Sequence, residues 1–157
     1  MRNLNLSEVH FYHVTKQTVE SALPLLLTKA VEAGWSIFIR VKKDINLKSF
    51  DDAIWAAQPD SFLPHAVLGS QNDDKCSILL GPEYHDSSRL DFLVSVKGAS
   101  ISALEVAEYK RCALLFDAKD VEEMKTAREQ WIEFTNAGIP AKYWSQETGV
   151  WSLKKEN

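Results

Sequence analysis

The sequence is poor in cysteine, and its two cysteines are not placed to build a metal or redox site. Cys76 and Cys112 each lie in an apolar run that favours a β-strand, and neither belongs to a C-x-x-C motif. The sequence has no second pair of cysteines that could complete a zinc site. We therefore predict two buried free thiols, as expected in a reducing compartment.

Long apolar runs are absent. No segment approaches the ~20 residues that a membrane-spanning helix needs, and residues 1–8 lack the apolar core of a signal peptide. Lysine and arginine number 18 against 22 aspartates and glutamates, so the formal net charge is −4. Such a chain lacks the broad positive field on which non-specific nucleic-acid binding depends. We predict a cytoplasmic protein without membrane contact that reaches DNA mainly through a partner.

Glycine is scarce as well, and the six glycines of the chain are scattered. Dinucleotide and P-loop sites need glycines directly after a strand, because backbone N–H groups must approach the phosphates closely. The segments that follow the first two predicted strands, 15–18 and 42–46, contain no glycine. We therefore predict that the protein binds no nucleotide and no other cofactor.

Groups of catalytic side chains are equally hard to find. His10 and His13 are three apart on a predicted strand, so they point to opposite faces and cannot bind one metal ion together. Segment 85–88 combines His, Asp and Ser in a polar loop without a nucleophile elbow. Asp51 and Asp52 are neighbours on a predicted helix, where adjacent side chains diverge by ~100°. The sequence predicts no enzyme; a hydrolytic or nucleotide-dependent enzyme is the less favoured alternative.

What the sequence does contain is a regular succession of apolar segments. Continuous apolar runs predict strands at 9–14, 36–41, 77–80, 90–96 and 112–116. Helical spacing predicts a helix ending at Gly34 and helices over 47–57, 103–109 and 119–137. Residues 62–68 form an irregular apolar segment.

This alternation predicts one α/β domain over residues 1–157. The expected fold is Rossmann-like and three-layered, with a mostly parallel central sheet and helices on both of its faces. The segment 81–89 is short for a crossover helix, which leaves open an antiparallel hairpin between 77–80 and 90–96. In that case the sheet would be mixed.

A first candidate surface lies on the second predicted helix and the segment after it. Trp55 stands at the edge of the apolar stripe of this helix, because it is ~100° beyond Ile54. The following irregular stretch is also apolar. Its candidate residues are Phe62, Leu63, Pro64 and His65. A tryptophan beside such a loop is typical of an interface hot spot; the alternative is that both cap the core.

A second candidate surface lies on the last predicted helix. Its period assigns Met124, Ala127, Trp131 and Phe134 to the buried face. Beside that face run Val121, Lys125, Arg128 and Ile132. A basic border along aromatic and aliphatic surface suits a short acidic peptide with an apolar end, because Arg128 can pair with a carboxylate in bidentate fashion. The alternative is that Lys125 and Arg128 merely cover the core with their long stems.

Two stretches of the sequence carry a family resemblance. Phe-Asp-Asp-Ala-Ile-Trp at 50–55 and Ser-Phe-Leu-Pro-His at 61–65 resemble the helix-plus-loop signature of the chi subunit of bacterial DNA polymerase III. Residues 89–94 and the tail around 143–151 are similar to further segments of that family, so the resemblance extends over nearly the whole chain in order.

The resemblance implies a Rossmann-like accessory subunit of the clamp-loader complex without catalysis or nucleotide binding. It implies that Trp55 and the loop residues Phe62, Leu63, Pro64 and His65 contact the psi subunit or another clamp-loader component. A repair helicase that uses the same surface is the alternative partner.

The resemblance further implies that the last helix binds the acidic, phenylalanine-terminated tail of single-stranded DNA-binding protein. The residues assigned to this site are Lys125, Arg128, Trp131 and Ile132; of these, Arg128 matches the family and Trp131 stands where an aromatic residue is expected. The chain departs from better-known members at Met124 and Ile132, where those proteins carry lysines. We therefore expect tail binding that is weaker or repositioned.

Overall fold

The computed structural model describes residues 7–42, 47–56, 65–67, 76–83, 91–146 and 150–157, with the backbone alone for 49, 53–56 and 65–67. The strands are β1 Glu8–Val14, β2 Ile37–Arg40, β3 His65–Val67, β4 Ile78–Gly81, β5 Phe92–Val96, β6 Arg111–Asp117, β7 Ala141–Ser145 and β8 Ser152–Glu156. The helices are α1 Val19–Glu32, α2 Leu47–Ala56, α3 Ala103–Val106 and α4 Val121–Asn136.

The strands form one sheet in the order β3-β4-β2-β5-β6-β1-β7-β8. Every neighbouring pair is parallel except β7 and β8. The prediction of a mostly parallel sheet is confirmed, and the sheet is mixed. The antiparallel pair is not the one suggested by the sequence, since β2 lies between β4 and β5 and is parallel to both. Ile37, Phe38 and Ile39 of β2 are fully buried, which suits the middle of the sheet.

Helices cover both faces of the sheet, as a three-layered α/β fold requires. One apolar cluster packs α1 and α2 on the first face, and the other packs α3 and α4 on the second face. Side chains of β1 alternate between these clusters: Val9 and Phe11 belong to the second, whereas Val14 belongs to the first. Within the described ranges, no helix combines the length and apolar content needed to cross a membrane.

Helix α4 is fixed at its start and along its buried side. The side chain of Asp120 caps the helix by accepting a hydrogen bond from the Glu123 backbone N–H at 3.0 Å. Phe11 of β1 contacts Trp131 edge-to-face, with ring centroids 5.3 Å apart. The chain leaves the helix through Gly138, whose φ of +76° favours glycine. These contacts determine which side of α4 faces outward.

A buried glutamine joins α4 to the loop before α3. The Gln130 amide accepts a hydrogen bond from the Ile101 N–H at 2.7 Å and donates one to the Ile101 carbonyl at 2.9 Å. Gln130 and Ile101 are both buried, so water cannot easily replace either bond.

We expect Gln130→Ala to lower the free energy of unfolding by about 2–3 kcal/mol, because it leaves the Ile101 backbone groups buried without partners. Urea denaturation followed by circular dichroism measures this loss. The exposed neighbour Glu129 is the control, and Glu129→Ala should change stability by less than about 0.5 kcal/mol. Equal stability of the two variants would contradict the assigned role of Gln130.

Candidate functional site

A groove runs between α4 and the C-terminal hairpin of β7 and β8. Its volume is about 530 Å³, within the usual range for ligand sites. The residues that line it come from β6, α4, β7 and β8: Phe116, Met124, Ala127, Arg128, Trp131, Ile132, Tyr143, Lys154 and Lys155. The groove therefore has a helical wall and a strand wall over a floor that belongs to the sheet.

The floor of the groove is aromatic and held in place from below. The Tyr143 ring meets Trp131 edge-to-face at 6.2 Å between centroids and Phe116 at 6.0 Å. His13 stacks on Phe116 at 5.2 Å, and its Nδ1 atom is 2.9 Å from the Tyr143 hydroxyl oxygen. Because each ring is restrained by another, the floor presents a preformed apolar surface.

The rim of the groove is positively charged. Arg128 stands on the α4 wall, and Lys154 and Lys155 stand on the β8 wall; all three are exposed. The Lys155 ammonium lies 5.3 Å from the centroid of the Trp131 ring, within the range of a cation–π contact. The described lining residues include no aspartate or glutamate. An acidic ligand would therefore meet three cations and no repelling carboxylate among them.

The structure brings together three of the four residues that the sequence assigned to this site. Arg128, Trp131 and Ile132 line the groove, whereas Lys125 is exposed on α4 but is not among the lining residues. Ile132 is 53% exposed and offers apolar contact at the rim.

The predicted buried face of α4 divides into two parts. Ala127 and Phe134 are buried, whereas Met124 and Trp131 are half-buried because they border the groove.

The C-terminal hairpin contributes groove residues that the sequence patterns did not predict. Tyr143, Lys154 and Lys155 line the groove, but the sequence analysis assigned no strand to 141–145 or 152–156. The available signal was the adjacent aromatic pair Tyr143 and Trp144, a residue type typical of strands. In the structure Tyr143 faces the groove, and Trp144 lines a pocket beside α1.

The first candidate surface stays a prediction. Phe62, Leu63 and Pro64 lie outside the described residues, as does the side chain of Trp55. His65 begins β3, where the backbone is described. On the described part of α2, Phe50 is fully buried.

The crevice beyond the carboxyl ends of β2 and β5 is where open α/β sheets usually bind ligands. Here an open pocket of about 640 Å³ lies at this position, and an internal ion pair forms part of its lining. The Arg40 guanidinium makes two hydrogen bonds to the Glu105 carboxylate, at 3.0 and 2.6 Å, and a third to the Ser100 carbonyl at 3.0 Å. The hydrogen bond from Arg40 lowers the pKa of Glu105, so the pair stays ionised. These groups are engaged in holding the loop before α3.

The two N-terminal histidines point to opposite faces of the sheet, as predicted. His13 packs on Phe116 in the second face, whereas His10 stacks with Tyr12 and Trp144 on the first. In the described ranges, no three His, Cys, Asp or Glu side chains converge on a possible metal position. Burial raises the pKa of the Cys112 thiol, which favours its unreactive protonated form.

His10 is held as a neutral ring by two hydrogen bonds. The Trp144 indole N–H donates to His10 Nδ1 at 3.1 Å, so the proton is on Nε2, which is 2.8 Å from the Glu8 carboxylate. Burial lowers the pKa of His10, and the positive charges of Arg111 and Lys142 lower it further against the opposing effect of Glu8. A second proton would have to bind to Nδ1 of His10, where it would face the Trp144 indole N–H instead of a hydrogen-bond acceptor.

Comparison with known families gives one match that spans most of the chain. The family model described as DNA polymerase III chi subunit, HolC, matches residues 6–142. The matched range contains β1, the four helices and the groove residue Arg128, and it ends inside β7, before β8. A comparison with curated proteins gives no significant match.

We expect acid to destabilise the fold through His10. Because its folded pKa lies below the unfolded value, only the unfolded chain takes up the proton near pH 6.5, and the free energy of unfolding falls as the pH falls. Between about pH 7.5 and about pH 5.5 the loss from this group should reach up to about 1 kcal/mol. Urea denaturation at both pH values measures it. His10→Gln should show a smaller loss, and an identical loss in the variant would contradict the assignment.

Proposed function

Because the chain belongs to the DNA polymerase III chi subunit family, we propose that it links the clamp-loader complex to single-stranded DNA-binding protein. Members of this family are non-catalytic accessory subunits of the polymerase. In this proposal the chain acts through protein–protein contacts alone, without a catalytic residue or a cofactor. It reaches DNA mainly through its partner.

The observation that carries the proposal is the groove between α4 and the hairpin of β7 and β8. It combines an apolar aromatic floor with a rim of three cations. A peptide with acidic residues and a terminal phenylalanine has the matching chemistry. Its ring would pack against Trp131 and Tyr143, and its terminal carboxylate would pair with the planar guanidinium of Arg128.

The phenylalanine ring of the peptide and its negative charges would contribute differently to the free energy of binding. Burial of a phenylalanine side chain stabilises a complex by about 1.5–3 kcal/mol, whereas an exposed ion pair contributes roughly 0–1 kcal/mol. The ring would therefore supply most of the affinity. The rim charges would supply selectivity for an acidic tail and faster association, and both effects weaken as salt rises.

We propose a second contact surface at Trp55, Phe62, Leu63, Pro64 and His65, which would bind a clamp-loader component such as the psi subunit. The sequence resemblance at 50–65 supports it, together with the buried Phe50 on the same helix. A repair helicase that uses this surface is the alternative partner.

We expect the chain to bind a labelled acidic peptide that ends in phenylalanine, and Arg128→Ala to weaken this binding about five- to tenfold. Fluorescence anisotropy measures both affinities. Lys125→Ala is the matched control, because Lys125 is a cation on the same helix that does not line the groove. It should change the affinity less than about twofold. No binding by the unaltered chain would refute the proposed tail site, and equal losses in both variants would refute the role of Arg128.

We expect Phe62→Ala to weaken co-purification with the clamp-loader partner and to leave tail-peptide binding unchanged, since the two contacts would lie on separate surfaces. Arg128→Ala should have the reverse effect. Thermal unfolding of both variants checks that they remain folded. Recovery of a helicase and no clamp-loader subunit would favour the alternative partner, and the loss of both contacts in a folded Phe62→Ala variant would disprove separate surfaces.

A further inference from the structure

We infer that Lys154 and Lys155 of β8 are the cations that select an acidic partner in the groove. This inference rests on the proposed tail site. It assigns to these lysines the contact with the acidic side chains that precede the terminal phenylalanine of the peptide. Both lysines follow residue 142, where the family match ends.

The pairing of β7 with β8 is irregular beside the groove. Trp144 is opposite Leu153 and Tyr143 is opposite Lys155, so Lys154 is an extra residue between two paired positions. In a regular strand, two consecutive side chains point to opposite faces, and only one of the two lysines would reach the groove. A β-bulge re-aims side chains locally. Here both lysines line the same groove.

The charge of Lys155 lies close to the aromatic floor. Lys155 holds its ammonium 5.3 Å from the centre of the Trp131 ring, and Trp131 in turn contacts Phe11 of the core. A phenylalanine packed on this floor would therefore lie next to Lys155. In an extended peptide successive residues are ~3.3 Å apart, so the one or two residues before the phenylalanine would face the lysine pair.

The positive charge of the groove is distributed unequally between its two walls. The α4 wall contributes one lining cation, Arg128, whereas the β8 wall contributes two. A single arginine can be satisfied by the terminal carboxylate that every peptide carries. Discrimination in favour of acidic side chains needs further cations within reach, and Lys154 and Lys155 are the ones that the described groove provides.

Lysines on β8 have a competing explanation. β8 is at one end of the sheet order, and edge strands commonly carry lysines that oppose pairing with another chain. Lysines that only oppose strand pairing would affect an acidic peptide and an uncharged peptide equally. The two explanations therefore differ in whether the effect of the lysines depends on the acidic residues of the ligand.

A double-mutant cycle on the full chain distinguishes them. The probe is a labelled peptide that ends in phenylalanine, in an acidic form and in a form whose aspartates are replaced by asparagine. We expect Lys154→Gln/Lys155→Gln to bind the acidic peptide about tenfold more weakly, and to bind the amide peptide as the unaltered chain does. Raised salt should reduce the difference between the two chains. Lys125→Gln is the matched control and should behave as the unaltered chain.

The outcomes separate this inference from the proposed function. If the unaltered chain binds neither peptide, the proposed tail site is wrong. If it binds the acidic peptide and the lysine variant binds equally well, or loses affinity equally for both peptides, the inference is overturned while the tail site stands. Single Lys154→Gln and Lys155→Gln variants, checked for folding by circular dichroism, give the same test if the double variant aggregates.

Discussion

The contact between β1 and α4 determines the geometry of the groove. Phe11 is fully buried and meets both Trp131 and Phe134, with ring centroids 5.3 and 6.1 Å apart. Since β1 is paired with β6 on one side and β7 on the other, the same strand holds the groove floor and the helix beside it. A change that displaced α4 from β1 would alter the floor, one wall and the position of Arg128 together.

The scaffold places the groove and the crevice at the carboxyl ends of the strands in different parts of the structure. In many α/β proteins the crevice beyond the carboxyl ends of the strands holds a ligand. In this chain the Arg40–Glu105 pair lines a pocket of about 640 Å³ in that crevice, and Glu105 also caps α3 by accepting a hydrogen bond from the Ser102 N–H at 2.9 Å. The groove beside α4 lies elsewhere, on the second face of the sheet, where side chains supply apolar surface and charge.

Sequence reasoning succeeded where the signal was local. The period of α4 separated buried Phe134 from exposed Arg128, and continuous apolar runs located the central strands. It failed where pairing joins distant segments: no local pattern tells that β2 inserts between β4 and β5. The β7–β8 hairpin was missed because β8 is mostly exposed and lacks the apolar run that identified the central strands. Lys154 and Lys155, which line the groove beside an irregularity in the β7–β8 pairing, were missed together with the hairpin.

The apolar residues of the groove are packed against the core, whereas its lysines are exposed on an edge strand. Trp131 and Tyr143 contact core residues, so replacing either would cost packing energy as well as affinity. Lys154 and Lys155 are exposed on an edge strand, where substitutions usually change stability by less than about 0.5 kcal/mol. The charge of the β8 wall can therefore differ between proteins of this fold while the floor stays the same. A helix without lysine at 124 and 132 need not indicate a groove without positive charge.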